Sequence, residues 1–288
     1  RLNLTADAYV RDTKGMQTSG KKLPGAYGAN EPKQNAANLR TKGWELMLTW
    51  NDAFKLANKP FRYNLSVGLA VNTSEITKFD NPSKILSDYY VGQKLGDIWG
   101  YVVDGLFRTD EEAANYNVDQ TAVNFVINTA QVNPGLHAGD MKFVDLDGDH
   151  TISSGSNTAD DPGDRKIIGN SLPRYTYSIQ GGFDWYGFDF SIYLQGVGHQ
   201  DWYPGTNSVF FWGPYARPYS SFIPRDFLSQ VWSPENPDAY FPRPIGYLAL
   251  GNNRSLGVVN DRYLQNLAYC RVKNITVGYT IPAAWTKK

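Results

Sequence analysis

The chain has 288 residues, with 28 basic and 28 acidic side chains and an aromatic content of 14%. This balance disfavours binding to nucleic acid, because no net field attracts a polyanion over a distance. No apolar run approaches the roughly 18 residues that a spanning helix needs, which excludes a helical membrane protein. The one cysteine, Cys270, cannot form an internal disulfide.

Several segments alternate apolar and polar residues with a period of two, which predicts β-strands with two unlike faces. Each is about as long as the 9 to 11 residues that cross a bilayer at a tilt. In the last segment, Arg271 and Lys273 interrupt the alternation, which indicates a bulge or the edge of a membrane. In chain order the predicted strands are 2–10, 44–50, 61–71, 174–185, 188–194 and 269–280.

The links between these strands are of two kinds. Those at 52–60 and at Tyr186-Gly187 are short, whereas those at 13–42, 73–173 and 199–266 are long and rich in Gly, Pro, Asn and Asp. Short turns on one side and long loops on the other are typical of outer-membrane barrels. Because the same alternation also occurs in soluble all-β sandwiches, a sandwich packed on its own core is the alternative.

Aromatic residues near the predicted strand ends favour the membrane interpretation. Amphipathic rings form girdles at both interfaces of a bilayer. The residues concerned are Trp44, Trp50, Tyr175, Trp185 and Tyr279.

Five longer motifs occur in an order that resembles the C-terminal part of the SusC/RagA family of TonB-dependent nutrient transporters. They are LGDIWGYVVDGLF at 95–107, GDMKFVDLDGD at 139–149, DRKIIGNSLPRYTY at 164–177, WSPENP at 232–237 and YCRVKNITVGYTIP at 269–282. Together they span nearly the whole chain.

The resemblance implies an all-β fold, a transmembrane antiparallel β-barrel of about 22 strands with long extracellular loops. Residues 1–288 are then part of one barrel domain in the cell outer membrane, its C-terminal portion, with the plug and the closing strands outside this chain. The implied function is import of oligosaccharides or oligopeptides and not enzymatic catalysis. The implied partners are a SusD-like surface lipoprotein, TonB acting through the absent N-terminal part, and the remaining segments of the same barrel.

An acidic loop is a candidate site for a structural calcium ion. Asp145, Asp147 and Asp149, around Gly148, have the spacing of a calcium loop, because a hard cation binds several oxygens converging at a sharp turn. The carbonyl of Thr151 is a fourth candidate ligand. Position twelve of such a loop needs a carboxylate, but Ser156 stands there.

The best substitute for Ser156 is Asp164, which the family pattern brings beside the loop if 154–163 is an insertion. Asp160 and Asp161 are rivals for the same role. The alternative for the whole segment is an Asp-Gly turn satisfied by backbone amides.

A second candidate site, for contact with substrate or partner, is an aromatic loop. Its rings are predicted either to stack on a sugar or pack against the capping lipoprotein, or to pack the loop against its neighbours. These residues are Trp202, Tyr203, Phe210, Phe211 and Trp212.

No catalytic constellation is visible, because the three histidines share no metal-ligand spacing and no Ser-His-Asp or Cys-His arrangement is indicated. Two alternative functions stand beside import. One is a soluble or surface carbohydrate-binding or adhesin β-sandwich, and the other is a glycoside hydrolase.

Overall fold

A computed structural model describes residues 1–19, 28, 32–124, 135–216, 223–251 and 254–286. None of the helices in these residues is long and apolar enough to cross a membrane. The strands, in chain order, are β1 (Leu2–Ser19), β2 (Lys33–Leu56), β3 (Lys59–Lys78), β4 (Asp97–Tyr101), β5 (Val103–Leu106), β6 (Met141–Phe143), β7 (Arg165–Asn170), β8 (Arg174–Trp185), β9 (Phe188–His199), β10 (Asp201–Trp202), β11 (Gln265–Asn266) and β12 (Tyr269–Tyr279). The helices are short: α1 (Asp110–Ala114), α2 (Thr121–Asn124), α3 (Val209–Trp212) and α4 (Ala283–Thr286).

The main element is a six-stranded antiparallel sheet in the order β1-β2-β3-β8-β9-β12. Each of its strands matches one of the predicted segments, the last to within one residue, so all six strand predictions are confirmed. Consecutive strands are neighbours throughout, and only the long insertions after β3 and β9 separate them in sequence. This is the meander of a barrel wall, in which each strand returns beside the one before it.

Three strands, β1, β2 and β3, are much longer than predicted. β2 has 24 residues and β3 has 20, so at about 3.3 Å per residue β2 is roughly 80 Å long. A lipid-facing band needs only about 25 Å of height. The apolar stretches were predicted correctly, but backbone pairing continues beyond them because polar residues such as Arg40 and Glu75 occupy paired strand positions equally well.

Both short links are two-residue hairpin turns. The predicted link at 52–60 is shorter than expected, since Asp52 to Leu56 still pair in β2 and only Ala57-Asn58 turn the chain. Ala57 and Asn58 have φ of 49° and 59°, and Tyr186 and Gly187 have 51° and 84°. Positive φ at both central residues defines the type I′ turn, whose twist matches that of the flanking strands.

The irregularity in the last strand is a bulge. The pairing of β12 with β9 shifts between Val272 and Asn274, so Lys273 is the extra residue. The bulge restores the phase of the alternation, because Ile275, Val277 and Tyr279 return to the apolar face.

The hydrophobic core of the protein lies in the long insertions rather than in the sheet. We call the described parts of 79–173 and 200–268 the loop unit. Most of its buried hydrophobic side chains form one cluster: Tyr101, Leu106, Val123, Met141, Phe143, Ile152, Trp212, Tyr215, Ala216, Phe227, Val231, Phe241, Ala249, Leu250, Leu256, Val258 and Tyr263.

Backbone and side-chain bonds tie the two insertions together. The Tyr101 amide donates to the Val259 carbonyl at 2.9 Å, and the Asp261 amide donates to the Tyr101 carbonyl at 3.0 Å. Arg243 from the second insertion makes a paired contact with buried Asp140 from the first, at 2.6 and 3.2 Å. The insertions therefore form one folded body at the end of the sheet where β3 and β9 terminate.

Candidate functional site

The apolar side chains of the sheet are aligned across all six strands. Because the strands pair in register, residues of one parity lie on one face in continuous rows. One such row is Leu4, Leu48, Val67, Ile179, Leu194 and Val272. The next row is Ala6, Leu46, Leu69, Tyr177, Gly196 and Cys270.

This apolar face has no protein layer over it among the described residues. Leu4 is 66% exposed, Val277 72% and Trp50 43%, and Ile179 and Ile192 are partly buried. A soluble sandwich would cover this face with a second sheet. The face therefore has the exposure expected of a surface in contact with lipid.

Aromatic rings are concentrated where the two hairpins turn. Phe54 packs against Phe61 at 5.0 Å between ring centroids, Phe61 against Phe183 at 5.4 Å, and Phe183 against Phe190 at 5.5 Å. The predicted girdle residues Trp50, Trp185 and Tyr279 lie at this end, and Trp44 and Tyr175 lie toward the other. Such pairs add to the stability of adjacent strands.

The opposite face is polar. Cross-strand hydrogen bonds join Thr41 to Ser74 at 2.8 Å and Thr49 to Ser66 at 3.1 Å. In a barrel this face turns to the interior, where water and polar groups are tolerated.

The aromatic candidates divide between surface and core. Trp202, at 42% exposed, and Phe210, at 75%, reach the surface of the loop unit, whereas Trp212 is fully buried. Tyr203 and Phe211 are partly buried and pack against the core cluster.

Specific bonds hold the inner members of this set. The Trp212 indole N–H donates to the Gly205 carbonyl at 3.0 Å, and the Tyr203 hydroxyl donates to the Val258 carbonyl at 2.8 Å. Burial raises the pKa of Tyr203 above its ordinary value. Trp212 is enclosed by Phe211 and Tyr263, with centroids 4.9 and 5.2 Å away. It therefore packs the loop and does not reach a ligand in this conformation.

The acidic loop brings its three aspartates together. Carboxylate oxygens of Asp145, Asp147 and Asp149 all lie within 4.8 Å of one another. Backbone amides also bind them, since Gly148 donates to Asp145 at 2.7 Å and Thr151 donates to Asp149 at 2.7 Å. The structure thus shows an Asp-Gly turn held by backbone amides. It also shows the converging carboxylates that a bound cation requires.

Asp164 lies beside this loop and is fully buried. Its two carboxylate oxygens accept from the amides of Leu146 and Ser153, both at 2.7 Å. The hydrogen bond from the Asp149 amide lowers the pKa of Asp147, but desolvation and the charges of Asp164, Asp149 and Asp145 raise it overall. A divalent cation would offset that repulsion. The rivals are engaged elsewhere: Asp160 pairs with Lys84 at 2.7 Å, and Asp161 accepts from the Ser156 amide at 2.9 Å.

A cavity of about 600 Å³ in the loop unit is absent from the sequence predictions. Its lining includes Trp99, Tyr101 and Arg165, which lie in the quoted motifs at 95–107 and 164–177. Those motifs are far apart in the chain, and the pairing of β4 with β7 brings them together. A sequence signal that these two segments pair would have been needed to find the cavity.

No protein-family model matches the chain. It is 25% identical to TonB-dependent receptor P39 of Formosa agariphila, over 97% of this chain and 28% of that protein. It is also 25% identical to TonB-dependent receptor SusC of Bacteroides thetaiotaomicron, over 99% of this chain and 25% of that protein. A solved structure of the RagAB peptide importer in a closed-closed state aligns with a TM-score of 0.63 at 16% identity, over 100% of this chain and 28% of that chain. The chain spans about a quarter of the length of the curated relatives it matches.

The fold is thus part of a transmembrane antiparallel β-barrel of the TonB-dependent transporter type, with long loops. The six strands described do not close the barrel. More particularly, the chain resembles the C-terminal portion of SusC/RagA-family transporters, and the resemblance found in its motifs is confirmed.

Proposed function

We propose that this chain forms part of the wall and the extracellular loops of an outer-membrane barrel that imports oligosaccharides or oligopeptides. The exposed apolar face supports this proposal most directly, because it is aligned over six strands and is left uncovered by the described residues. In water, a patch of this extent would drive association. In a bilayer it is the outer surface of a barrel.

The rest of the transport apparatus lies outside this chain. By analogy with the relatives, we propose that TonB acts through an N-terminal part with a plug, that a SusD-like lipoprotein caps the barrel, and that residues 1–288 are a portion of a single barrel domain. The similar solved structure is that of a peptide importer, which supports an import function. No enzymatic step is needed for this function.

Within the loop unit, we propose that Trp202 and Phe210 contact the lipoprotein or the solute. Their exposure supports this role. Tyr203, Phe211 and Trp212 pack in the core of the loop unit, and this packing holds the loop that carries Trp202 and Phe210. A carbohydrate-binding or adhesin sandwich is less well supported, since it requires a second layer over the apolar face.

Two measurements on the full-length protein test the import proposal. A folded barrel in detergent migrates faster on an unboiled gel than the same sample after boiling. Cells that produce the protein are expected to accumulate labelled oligosaccharide or oligopeptide, and to stop when the proton gradient is collapsed or TonB is deleted. A protein that is soluble without detergent, or uptake that is indifferent to TonB, would contradict the proposal.

We also propose a structural calcium ion held by Asp145, Asp147, Asp149, the Thr151 carbonyl and Asp164. The convergence of three carboxylates, with a fourth buried beside them, supports it. Ile152, which follows the Thr151 carbonyl, is fully buried and anchors the loop to the core. Such an ion would fix the acidic loop next to the segment that begins at Asp164 and leads through β7 into β8 of the main sheet.

Calcium titration of the complete protein provides the test. We expect calcium to stabilise the loop unit by about 2.7 kcal/mol at a hundredfold excess over its dissociation constant, seen as slower proteolysis within 137–166, and EDTA to reverse this effect. Asp145→Asn is expected to abolish the calcium response. Asp160→Asn is the matched control and should retain it. An equal response of both variants would remove the assignment.

A further inference from the structure

The 600 Å³ cavity is lined by parts of both insertions and is partly open to solvent. Its volume is within the range of small-molecule pockets, about 300 to 1,000 Å³. One wall is the two-stranded sheet of β4 and β7, and α2 contributes Val123. Residues 257–259 of the second insertion complete the lining and run beside β4, since the Tyr101 amide donates to the Val259 carbonyl. The cavity therefore depends on the two insertions being docked together.

Three side chains share the face of β4 and β7 that borders the cavity. Tyr101 pairs directly with Arg165, and Trp99 lies two residues before Tyr101 on the same side of the strand. The wall thus combines two aromatic rings with one guanidinium group.

The guanidinium of Arg165 is held by neutral groups. Its Nε donates to the Pro162 carbonyl at 3.1 Å, and one Nη donates to the Ser154 carbonyl at 2.9 Å and to Asn157 Oδ1 at 3.0 Å. No carboxylate of the described residues forms an ion pair with it. The group is rigid, charged and without a counter-ion at the cavity.

The hydroxyl of Tyr101 is also without a partner. The residue is only 7% exposed and lines the cavity, yet no described residue exchanges a hydrogen bond with its hydroxyl. By contrast, the hydroxyl of buried Tyr215 donates to the Pro242 carbonyl at 2.6 Å. The hydroxyl oxygen retains solvent access at the cavity, so it is free to donate to a ligand there.

We propose that this cavity binds a carboxylate group of the imported solute, an inference that rests on the import function proposed above. Arg165 has one further nitrogen to donate and Tyr101 one hydroxyl, which together match the two oxygens of a carboxylate. A phosphate, with three oxygens and nearly two charges, would need more donors. The rings of Trp99 and Tyr101 cover the apolar part of the ligand.

Calorimetry on the complete transporter can test this preference with paired ligands. Tetragalacturonate and its methyl ester differ only in the carboxylates, and a tetraglutamate peptide and its glutamine counterpart differ in the same way. We expect one acid to bind about tenfold more tightly than its neutral partner, since charged hydrogen bonds contribute at this level. Which acid shows the preference identifies the carboxylate as coming from a glycan or a peptide.

Variants then assign the preference to the cavity. Tyr101→Phe removes only the hydroxyl and should reduce the preference several-fold, with the affinity for the neutral partner unchanged. Arg165→Gln should abolish it, and Arg165→Lys, which keeps the charge but loses the planar fork, should retain a part. Mobility on an unboiled gel confirms that each variant is folded.

Two results would overturn the inference: equal binding of acid and neutral ligand, including no binding of either, or a preference that Tyr101→Phe leaves intact. Uptake separates this failure from failure of the import function. If only the pocket inference is wrong, labelled neutral solute still accumulates in a TonB-dependent way. If import itself is wrong, neither solute accumulates.

Discussion

Ala57 is a residue with a side chain at a turn position that favours glycine. Its φ of 49° is in the left-handed region, which costs a residue with a Cβ about 1 to 2 kcal/mol. Glycine lacks this cost. Ala57→Gly is therefore expected to stabilise the folded protein by about 1 kcal/mol, measured as a higher urea midpoint for loss of the fast-migrating band on unboiled gels.

The second hairpin provides the reverse experiment. Gly187 has φ of 84°, and a Cβ there would lie 3.1 Å from the Thr280 carbonyl. We expect Gly187→Ala to destabilise by about 1 kcal/mol or more, from backbone strain with crowding added, and to lower the same midpoint. If the two substitutions shift the midpoint in the same direction, the turn geometry described for the two hairpins is wrong.

At the scale of elements, two ion pairs join the two insertions. We expect the buried pair to contribute more to their docking than the exposed pair. Asp140 is almost fully buried, and its contact with Arg243 at 2.6 Å is supplemented by the His137 amide at 3.0 Å. Arg243→Ala leaves that carboxylate without its charge partner, and we expect a cost of about 2 kcal/mol, reduced from the fully buried value because Arg243 is partly exposed. Hydrogen exchange at the amides of 137–143 is expected to accelerate accordingly.

A surface pair between the same insertions is the matched control. Arg108 and Asp238 are 2.7 Å apart, but their side chains are 63% and 76% exposed. Solvent screens such a pair, so Arg108→Ala is expected to cost less than about 1 kcal/mol. Equal acceleration of exchange in both variants would mean that burial does not distinguish the two contacts.

The elements also show what the sequence could and could not predict. The six strands were predictable because alternation is a local signal, and even the irregularity at Lys273 was visible in it. The extended ends of β2 and β3 were not, because polar residues pair there without an apolar face to mark the strand. The core of the loop unit was not predictable either, since contacts such as Asp140 with Arg243 join residues 103 positions apart.

The candidate sites divide in the same way. Spacing alone predicted that Asp145, Asp147 and Asp149 converge, because neighbours in a tight turn remain close. Spacing could not tell that Trp212 is enclosed while Phe210 two residues earlier is exposed, since burial there depends on Tyr263 and other distant rings. The partnership of Tyr101 and Arg165 likewise depends on a strand pairing that no local pattern marks.

At the scale of the whole molecule, the question is which face of the sheet meets lipid, and adjacent residues of β8 can decide it. Ile179 lies in the apolar row between Val67 and Leu194, and Gln180 lies on the opposite face. An arginine near the midplane of the lipid face costs about 2 to 4 kcal/mol, whereas on the interior face its charge remains in water. Ile179→Arg should therefore reduce the folded fraction in liposomes sharply, and Gln180→Arg should leave it nearly unchanged.

The pair is informative because both substitutions introduce the same side chain into the same strand, one position apart. Strand propensity, charge and expression are thereby matched, and only the direction of the side chain differs. If Gln180→Arg were the damaging variant, the polar face would be the one in a low-dielectric environment. The exposed rows from Leu4 to Val272 would then have to be buried by another protein surface, and a barrel wall facing lipid would no longer account for them.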